Sequence, residues 1–449
     1  MSKNRIPPWF ALIVGAIGLL LTATLGLWAY KSVTAPILHP DPQQVRSVTH
    51  ADPSRQWTDA VERGRHIVRA GLIEQNLPGI SVAVGVHGDI VWAEGFGWAN
   101  LDNQVPVAPD TRFRVADASR AVTSAAVGLL LEKNRLHLDD EIQVHVPEVP
   151  KKPWPVTLRQ LMAQVAGVPT DHGGEAPLSN PSSGEGSPAR RCERTVDGLQ
   201  LDNFAERPLL FEPGTKYSPS SYGWILVSAA VEAAANQPFF AFLRTQVFEP
   251  LGMRATTVDV ATEAIPARAT FYWPLFGLAA DTRYGPKLAR EGDHSCYAGA
   301  AAFLSTPSDL VRFGIGINSG TLLKPGTVQL LQTPQRLASG EETGYGLGWE
   351  LETHPLAGQS TRMAGHGSKG EFIGGTTYLM TFPERGLVVA VMANISFADT
   401  KSIALNIAQA FAEQGPGPAR RGRATSAVHR RVHLLATRAS DSVAARVTR

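Results

Sequence analysis

Apolar residues fill nearly every position from Pro7 through Tyr30, with Lys3 and Arg5 before the run and Lys31 closing it. The run meets the about 20 residues a membrane-spanning helix needs and exceeds the about 7–15 of a cleaved signal's core. Trp9, Phe10, Trp28 and Tyr30 sit at its ends, where interfacial aromatics belong. The pattern predicts a single-pass signal anchor over residues 1–31, its short basic end inside and the rest on the outer face, periplasmic or extracellular. A cleaved signal peptide is the alternative, but no convincing small-x-small site follows. Residues 32–59 are polar and proline-bearing without a sustained period, and read as a linker. From Ala60 to Asn76 apolar residues recur at helical spacing (Val61, Ile67, Val68, Leu72). The stretch from Gly79 to Trp98 is rich in β-formers and turns at His87-Gly88-Asp89, a hairpin signal. Helical spacing returns over 221–235 and 239–248. Residues 376–380 and 386–394 read as adjacent strands joined at Pro383-Glu-Arg-Gly386, and 401–413 as a closing helix. One domain over 60–414 accommodates all of these elements.

Two stretches break the pattern. Residues 170–194 are rich in Gly, Ser and Pro without periodicity, and read as a flexible surface insertion. After Gly415 the chain carries Arg420, Arg421, Arg423, Arg430, Arg431, Arg438, Arg446 and Arg449 among Ala, Ser and Val, the composition of a disordered, solvated extension. Contact of this tail with anionic headgroups is the alternative. The whole chain of 449 residues has 42 basic and 40 acidic residues, a net charge of +2, so its balance points to no acidic partner. No nucleic-acid partner is expected. The two cysteines, Cys192 and Cys296, permit at most one disulfide; they lie in no metal or redox spacing, and two unrelated thiols is the reading preferred over a pair. His172, His294, His354 and His366 form no helical metal-binding pair, so neither a metal nor another cofactor is implied.

The candidate chemistry lies in Phe113-Arg-Val-Ala-Asp117-Ala-Ser-Arg120-Ala-Val-Thr123, where an extended segment runs into a helix that continues to Lys133. With Asp110 to Ala116, Leu136-His-Leu-Asp-Asp-Glu141, Val146-Pro-Glu148, Val156 to Met162, Phe211-Glu-Pro-Gly-Thr-Lys-Tyr217, Phe248 to Met253, Ala298-Gly299, Phe303 to Leu310 and Gly365-His366-Gly367, it resembles the beta-lactamase-like serine hydrolases in order and spacing. That family includes class C beta-lactamases, D,D-peptidases, esterases and eukaryotic lactamase-like proteins. The resemblance spans roughly Ala60 to Ser396. It implies the α/β (α+β) penicillin-binding-protein-like fold, a mainly antiparallel sheet flanked by helices plus a helical lobe. It also implies acyl-enzyme hydrolysis of a beta-lactam, a cell-wall peptide or an ester.

Set against the family's motifs, this chain departs where protons are handled. A Ser-x-x-Lys pair on the first helical turn becomes Asp117 and Arg120, and the tyrosine after the Pro-Gly-Thr turn becomes Pro219. At an unperturbed pKa of about 3.9 Asp117 has no proton for a base to remove. Arg120 stays protonated and cannot act as that base. What the two can do is pair, at i and i+3, near the favourable end of the helix dipole. Gln164-Val-Ala166-Gly167 stands where many members have polar groups. His366 alone agrees with the third motif, as a substrate-carboxylate binder or proton carrier, against the bland reading of an incidental histidine at a glycine-rich strand edge. Ser220, Ser221, Gly367 and Ser368 are the candidate substrate-binding positions, with Lys369 adding charge. The expectation is a catalytically degenerate member retaining a ligand-binding cleft. An active hydrolase with a rearranged site, and a non-enzymatic module binding cell wall or a partner protein, are the competing readings.

Overall fold

The computed structural model describes residues 8–169, 192, 194–195, 207–260, 263–275, 281–289, 293–367 and 374–414. The apolar run forms one helix, α1 (Pro8–Val33), exposed at each of its described side chains. The polar segment after it adds a short strand, β1 (Ser47–Thr49), to the edge of the main sheet. Helix α2 (Thr58–Glu74) follows, burying Val61, Val68 and Leu72 as the spacing predicts. Strands β2 (Gly79–Val86) and β3 (Asp89–Asn100) pair through His87 and Gly88, whose φ values of 51° and 95° are those of a two-residue hairpin loop that follows the twist of the strands. Asp89, read as part of the turn, is instead the first paired residue of β3.

The later chain supplies β4 (Val105–Pro106), β5 (Phe113–Arg114), β6 (Thr257–Val258), β7 (Tyr272–Pro274), β8 (Pro286–Leu288), β9 (Phe303–Ser305), β10 (Glu350–Leu356), β11 (Gln359–Gly367), β12 (Thr376–Phe382) and β13 (Leu387–Ala393). The principal sheet is antiparallel, in the order β1-β3-β2-β13-β12-β11-β10, with β4 paired to β3. Its central strands are buried on both faces, and the period of two divides their side chains between two cores. Ile80, Val82, Val84, Leu387, Val389 and Val391 face α2 and the closing helix Thr400–Glu413. Ala83, Val388, Ala390 and Met392 face the helical lobe, with helix α3 (Ser119–Glu132) and helix Ser221–Ala235 at its centre. The turn at Ala116–Ala118 lies where this second core meets β11.

The two cysteines are not unrelated thiols. Cys192 and Cys296 form a disulfide across 104 residues of sequence, with Cα atoms 5.0 Å apart. A spacing rule had nothing to detect over that distance. The fold closes it by bringing the end of the insertion against Ser295, whose Oγ accepts the Cys192 N–H at 3.0 Å. The rest of the predicted insertion, apart from Arg194, lies outside the described residues, as do Ser368, Lys369 and the basic tail.

The strand carrying the third motif shows why glycine flanks its histidine. Gly365 and Gly367 share one face of β11, and the Tyr378 ring of β12 lies across that face. A Cβ on Gly367 would stand 2.0 Å from Tyr378 Cδ2, while one on Gly326 would meet nothing within 4 Å. Gly367→Ala is expected to cost on the order of 1–3 kcal/mol through overpacking. Gly326→Ala, in an exposed helix, should be neutral or slightly stabilising. Thermal melting of the two variants side by side checks this.

Candidate functional site

Four segments converge around residues 117 and 120. The first runs from β5 into a single 3-10 turn, Ala116–Ala118, and then into α3. Its backbone is fixed from both sides. The Val115 N–H donates to the Phe303 carbonyl at 2.8 Å, and Thr377 Oγ1 donates to the Arg114 carbonyl at 2.8 Å. The Arg114 side chain is anchored too, its Nε donating to the buried Asp259 at 2.6 Å while its guanidinium lies 4.0 Å from the Phe271 ring centroid. Between these clamps Ala116 adopts φ 53°, a left-handed conformation that costs an alanine about 1–2 kcal/mol. The turn thereby presents residue 117 at the entrance of α3.

Asp117 and Arg120 pair as their spacing predicts. Arg120 Nη2 lies 2.8 Å from Asp117 Oδ1, with 7% of the arginine side chain and 30% of the aspartate exposed. The same Nη2 donates to Ser221 Oγ at 3.4 Å, and the buried Nε has no hydrogen-bond partner. The second segment ends in Pro219 and Ser220. Ser220 is the N-cap of helix Ser221–Ala235: its Oγ accepts the Gly223 N–H at 3.1 Å and donates to the Pro169 carbonyl at 3.2 Å. Its own N–H donates to Gln164 Oε1 at 2.8 Å, so Gln164, itself at φ 62°, holds the turn carrying Pro219. Gln164 is therefore a structural clamp rather than a bare loss of polarity.

The third segment is β11, whose alternation turns His366 toward the helical lobe with Ala364. His366 is 2% exposed, and its Nε2 lies 2.8 Å from the hydroxyl of Tyr345. Burial, and secondarily the Arg120 charge, holds the imidazole well below its usual range. Gly367 lies at the end of the same strand with its face filled by Tyr378.

The fourth segment was not found from sequence. Tyr345 lies in Gly344-Tyr-Gly-Leu-Gly348, outside any regular element, and is brought in because Gly348, at φ 96°, rests on α3. A Cβ there would stand 2.7 Å from Ser124 Cβ and 3.1 Å from the Arg120 carbonyl. An aromatic flanked by glycines was the available cue. Burial raises the Tyr345 phenol well above its ordinary range. Tyr217 packs on it with ring centroids 5.8 Å apart. The Tyr217 residue keeps 41% of its surface exposed, yet its phenol, penetrating among Tyr345 and Arg120, is pushed up to about 12, mainly by burial. Each of these shifts favours the neutral form, so the histidine and both tyrosines hold no charge at neutral pH. Among the described residues, Asp117 and Arg120 form the ion pair of this site, with the Arg120 Nε left without a hydrogen-bond partner.

A second layer sits behind β11. Tyr378 donates its hydroxyl to Glu350 Oε2 at 2.7 Å, and Lys401 approaches the same carboxylate at 3.5 Å. Burial raises the Glu350 pKa. This layer holds the Tyr378 ring against Gly365 and Gly367 and so fixes the strand that presents His366.

Two outcomes follow from these energetics. Asp117→Ala leaves Arg120 buried without its anion, and is expected to cost about 3 kcal/mol, more than Arg120→Ala, which leaves a partly hydrated aspartate. Chemical denaturation of the two variants ranks them. The second concerns pH. His366 is depressed, and His294, whose imidazole burial lowers to about 3, behaves likewise. The unfolded chain takes up these protons below about pH 6.5, whereas the folded protein does not, so their contribution is intact above 6.5 and declines as pH falls. The unfolding free energy should drop by on the order of 1 kcal/mol per pH unit for each histidine between pH 6 and 5, and His366→Gln should reduce that slope.

Residues 65–413 match the family described as Beta-lactamase. The human serine beta-lactamase-like protein LACTB, mitochondrial, is 26% identical, covering 80% of this chain and 81% of its own. Penicillin-binding protein 4* of Bacillus subtilis (strain 168) is 25% identical over 64% of this chain and 62% of its own. Among solved structures, an octameric penicillin-binding protein homologue from Pyrococcus abyssi superposes with a TM-score of 0.63 at 22% identity, covering 77% of this chain and 76% of that one. A D-amino acid amidase from Ochrobactrum anthropi SV3 gives 0.61 at 21%, covering 79% and 98%. The match over 65–413, with an antiparallel sheet, a helical lobe and the turn at residue 117 between them, places this chain in the beta-lactamase family, with the penicillin-binding-protein fold.

Proposed function

We propose that this chain is a membrane-anchored, outward-facing member of the family in which the acyl-transfer circuit is degenerate and the cleft persists as a ligand-binding surface. The observation that carries the reading is the 2.8 Å ion pair between Asp117 and Arg120. Acyl transfer needs a nucleophile that gives up a proton and a neighbour that accepts it. A carboxylate has none to give, a guanidinium accepts none, and Pro219 offers no phenol in the third role. His366 and Tyr345 supply a hydrogen-bonding wall without a charged base. The cleft suits a small acyl ligand of the family's kind, such as a cell-wall peptide, beta-lactam or ester, and the solved D-amino acid amidase in complex with D-phenylalanine makes a D-amino acyl group a natural probe. The exposed apolar α1 supports the anchor. The Cys192–Cys296 bond supports an oxidising, outward location.

A rearranged hydrolase needs another serine. Ser220 is committed to its helix cap, Ser124 donates to the Leu347 carbonyl, and Ser119 Oγ is buried without a partner. The non-enzymatic module remains compatible with the same cleft, and its partner would be captured on immobilised peptidoglycan fragments in an Arg120-dependent manner.

An acyl-phosphonate probe is expected to leave the purified chain unlabelled, and a stable adduct mapped to any serine would overturn the reading. Restoring the circuit with Asp117→Ser, Arg120→Lys and Pro219→Tyr together should produce ester or lactam hydrolysis that the parent lacks. Loss of one triad-type residue typically costs several powers of ten, so the contrast should be large.

A further inference from the structure

The C-terminal end of α1 does not simply release the chain into solvent. Trp28, in its last turns, packs on Tyr284 with ring centroids 6.1 Å apart. Tyr284 belongs to the turn between β7 and β8, a two-stranded ribbon separate from the main sheet. The same turn is fixed to the segment leaving α1 through Asn76. Its Nδ2 donates to the carbonyls of Pro36 at 2.9 Å and Arg283 at 3.2 Å, while its Oδ1 accepts the Leu38 N–H at 2.9 Å. Thr282 Oγ1 donates to the Gln75 carbonyl at 2.6 Å. The exit of α1, the end of α2 and the ribbon are thus one braced assembly.

That bracing sets the ribbon's depth. Trp28 precedes Lys31 by three residues, about 4.5 Å along a helix. If Lys31 marks the polar boundary, Tyr284 lies at the level of the headgroups, where tyrosine and tryptophan favour the interface. On the segment leaving α1 and on β8 several apolar side chains stand in solvent: Val33 is 87%, Ile37 72% and Leu288 63% exposed. Lys287 on β8 and Lys31 add positive charge. Arg283 is paired with Asp281 at 2.7 Å and contributes little.

We infer that the β7–β8 ribbon, with Val33 and Ile37 beside it, is a second membrane contact that rests on the outer leaflet and sets the domain's orientation on it. The occupant of this apolar, basic face is the lipid surface that α1 itself enters. The bracing to the helix exit makes that surface the continuation of the anchor, and the lysines complement anionic headgroups. The inference rests on the anchor reading of α1, and the test separates the two.

Full-length chain would be reconstituted in phosphatidylcholine vesicles, with and without phosphatidylglycerol, carrying one nitroxide at a time on Leu20→Cys, Leu288→Cys or Val144→Cys. Val144 is an exposed reference on the helical lobe. Collision with oxygen, which partitions into lipid, is compared with collision with a water-soluble nickel chelate. The label at 20 should be deep in lipid. The label at 288 should show a several-fold lower nickel collision rate than that at 144, together with raised oxygen collision. Lys287→Glu should weaken this effect in the anionic vesicles. If 288 matches 144 while 20 is in lipid, the ribbon contact is wrong and the anchor stands. A label at 288 shielded from both reagents would point to a second copy of the chain on this face and overturn the inference. Should 20 itself be water-exposed, the anchor fails and the ribbon contact with it.

Discussion

Arg120 carries a permanent charge into a slot where 7% of its side chain meets solvent. A cation so placed demands an anion, and the anion one helical turn away is Asp117. Neither substitution is tolerable without the other. A serine at 117 would leave the guanidinium uncompensated, since Arg120 reaches both Asp117 and Ser221 through its single Nη2. Such a pair adds little net stability over an apolar filling, because desolvation offsets most of its attraction. What it does is occupy the slot. The neutral His366 and Tyr345 are held beside a charge pair.

The rest of the architecture keeps this slot in place from two directions. In front, Arg114, Asp259 and Arg268 form a buried ion network that fixes the approach to residue 117. Behind, Lys401, Glu350 and Tyr378 press against the glycines of β11. Both sets lie outside the family's proton-handling positions. The left-handed Ala116 and Gln164 persist between them, which is the kind of backbone cost a fold retains only where its surroundings over-determine it. The turn that presents residue 117 is assembled here around Asp117 and Arg120.

Much of this was legible from residue order. The hairpin at His87-Gly88, the strands on either side of Pro383 to Gly386, the closing helix and the Asp117–Arg120 pair all follow from local spacing, and local spacing is what sequence records well. Tyr345 was missed because its position depends on Gly348 lying against the backbone of α3, a contact between segments more than two hundred residues apart. Gln164 read as a lost polar group because its partner, the Ser220 N–H, belongs to another segment. The disulfide failed for the same reason. Tyr217 and Pro219 are two residues apart, yet only the fold reveals that the former packs on Tyr345 while the latter sits in a turn held by Gln164.

The bond between Cys192 and Cys296 also has a topological consequence. It closes a covalent ring around everything between those residues, including Tyr217, Pro219, Ser221 and the central helix of the lobe. A protease cutting the chain upstream of Cys192 would leave that ring untouched. A single cut just downstream of it would open the ring yet leave both fragments joined through sulfur. Nicked material would therefore migrate as one molecule until a reductant is added, and then as two.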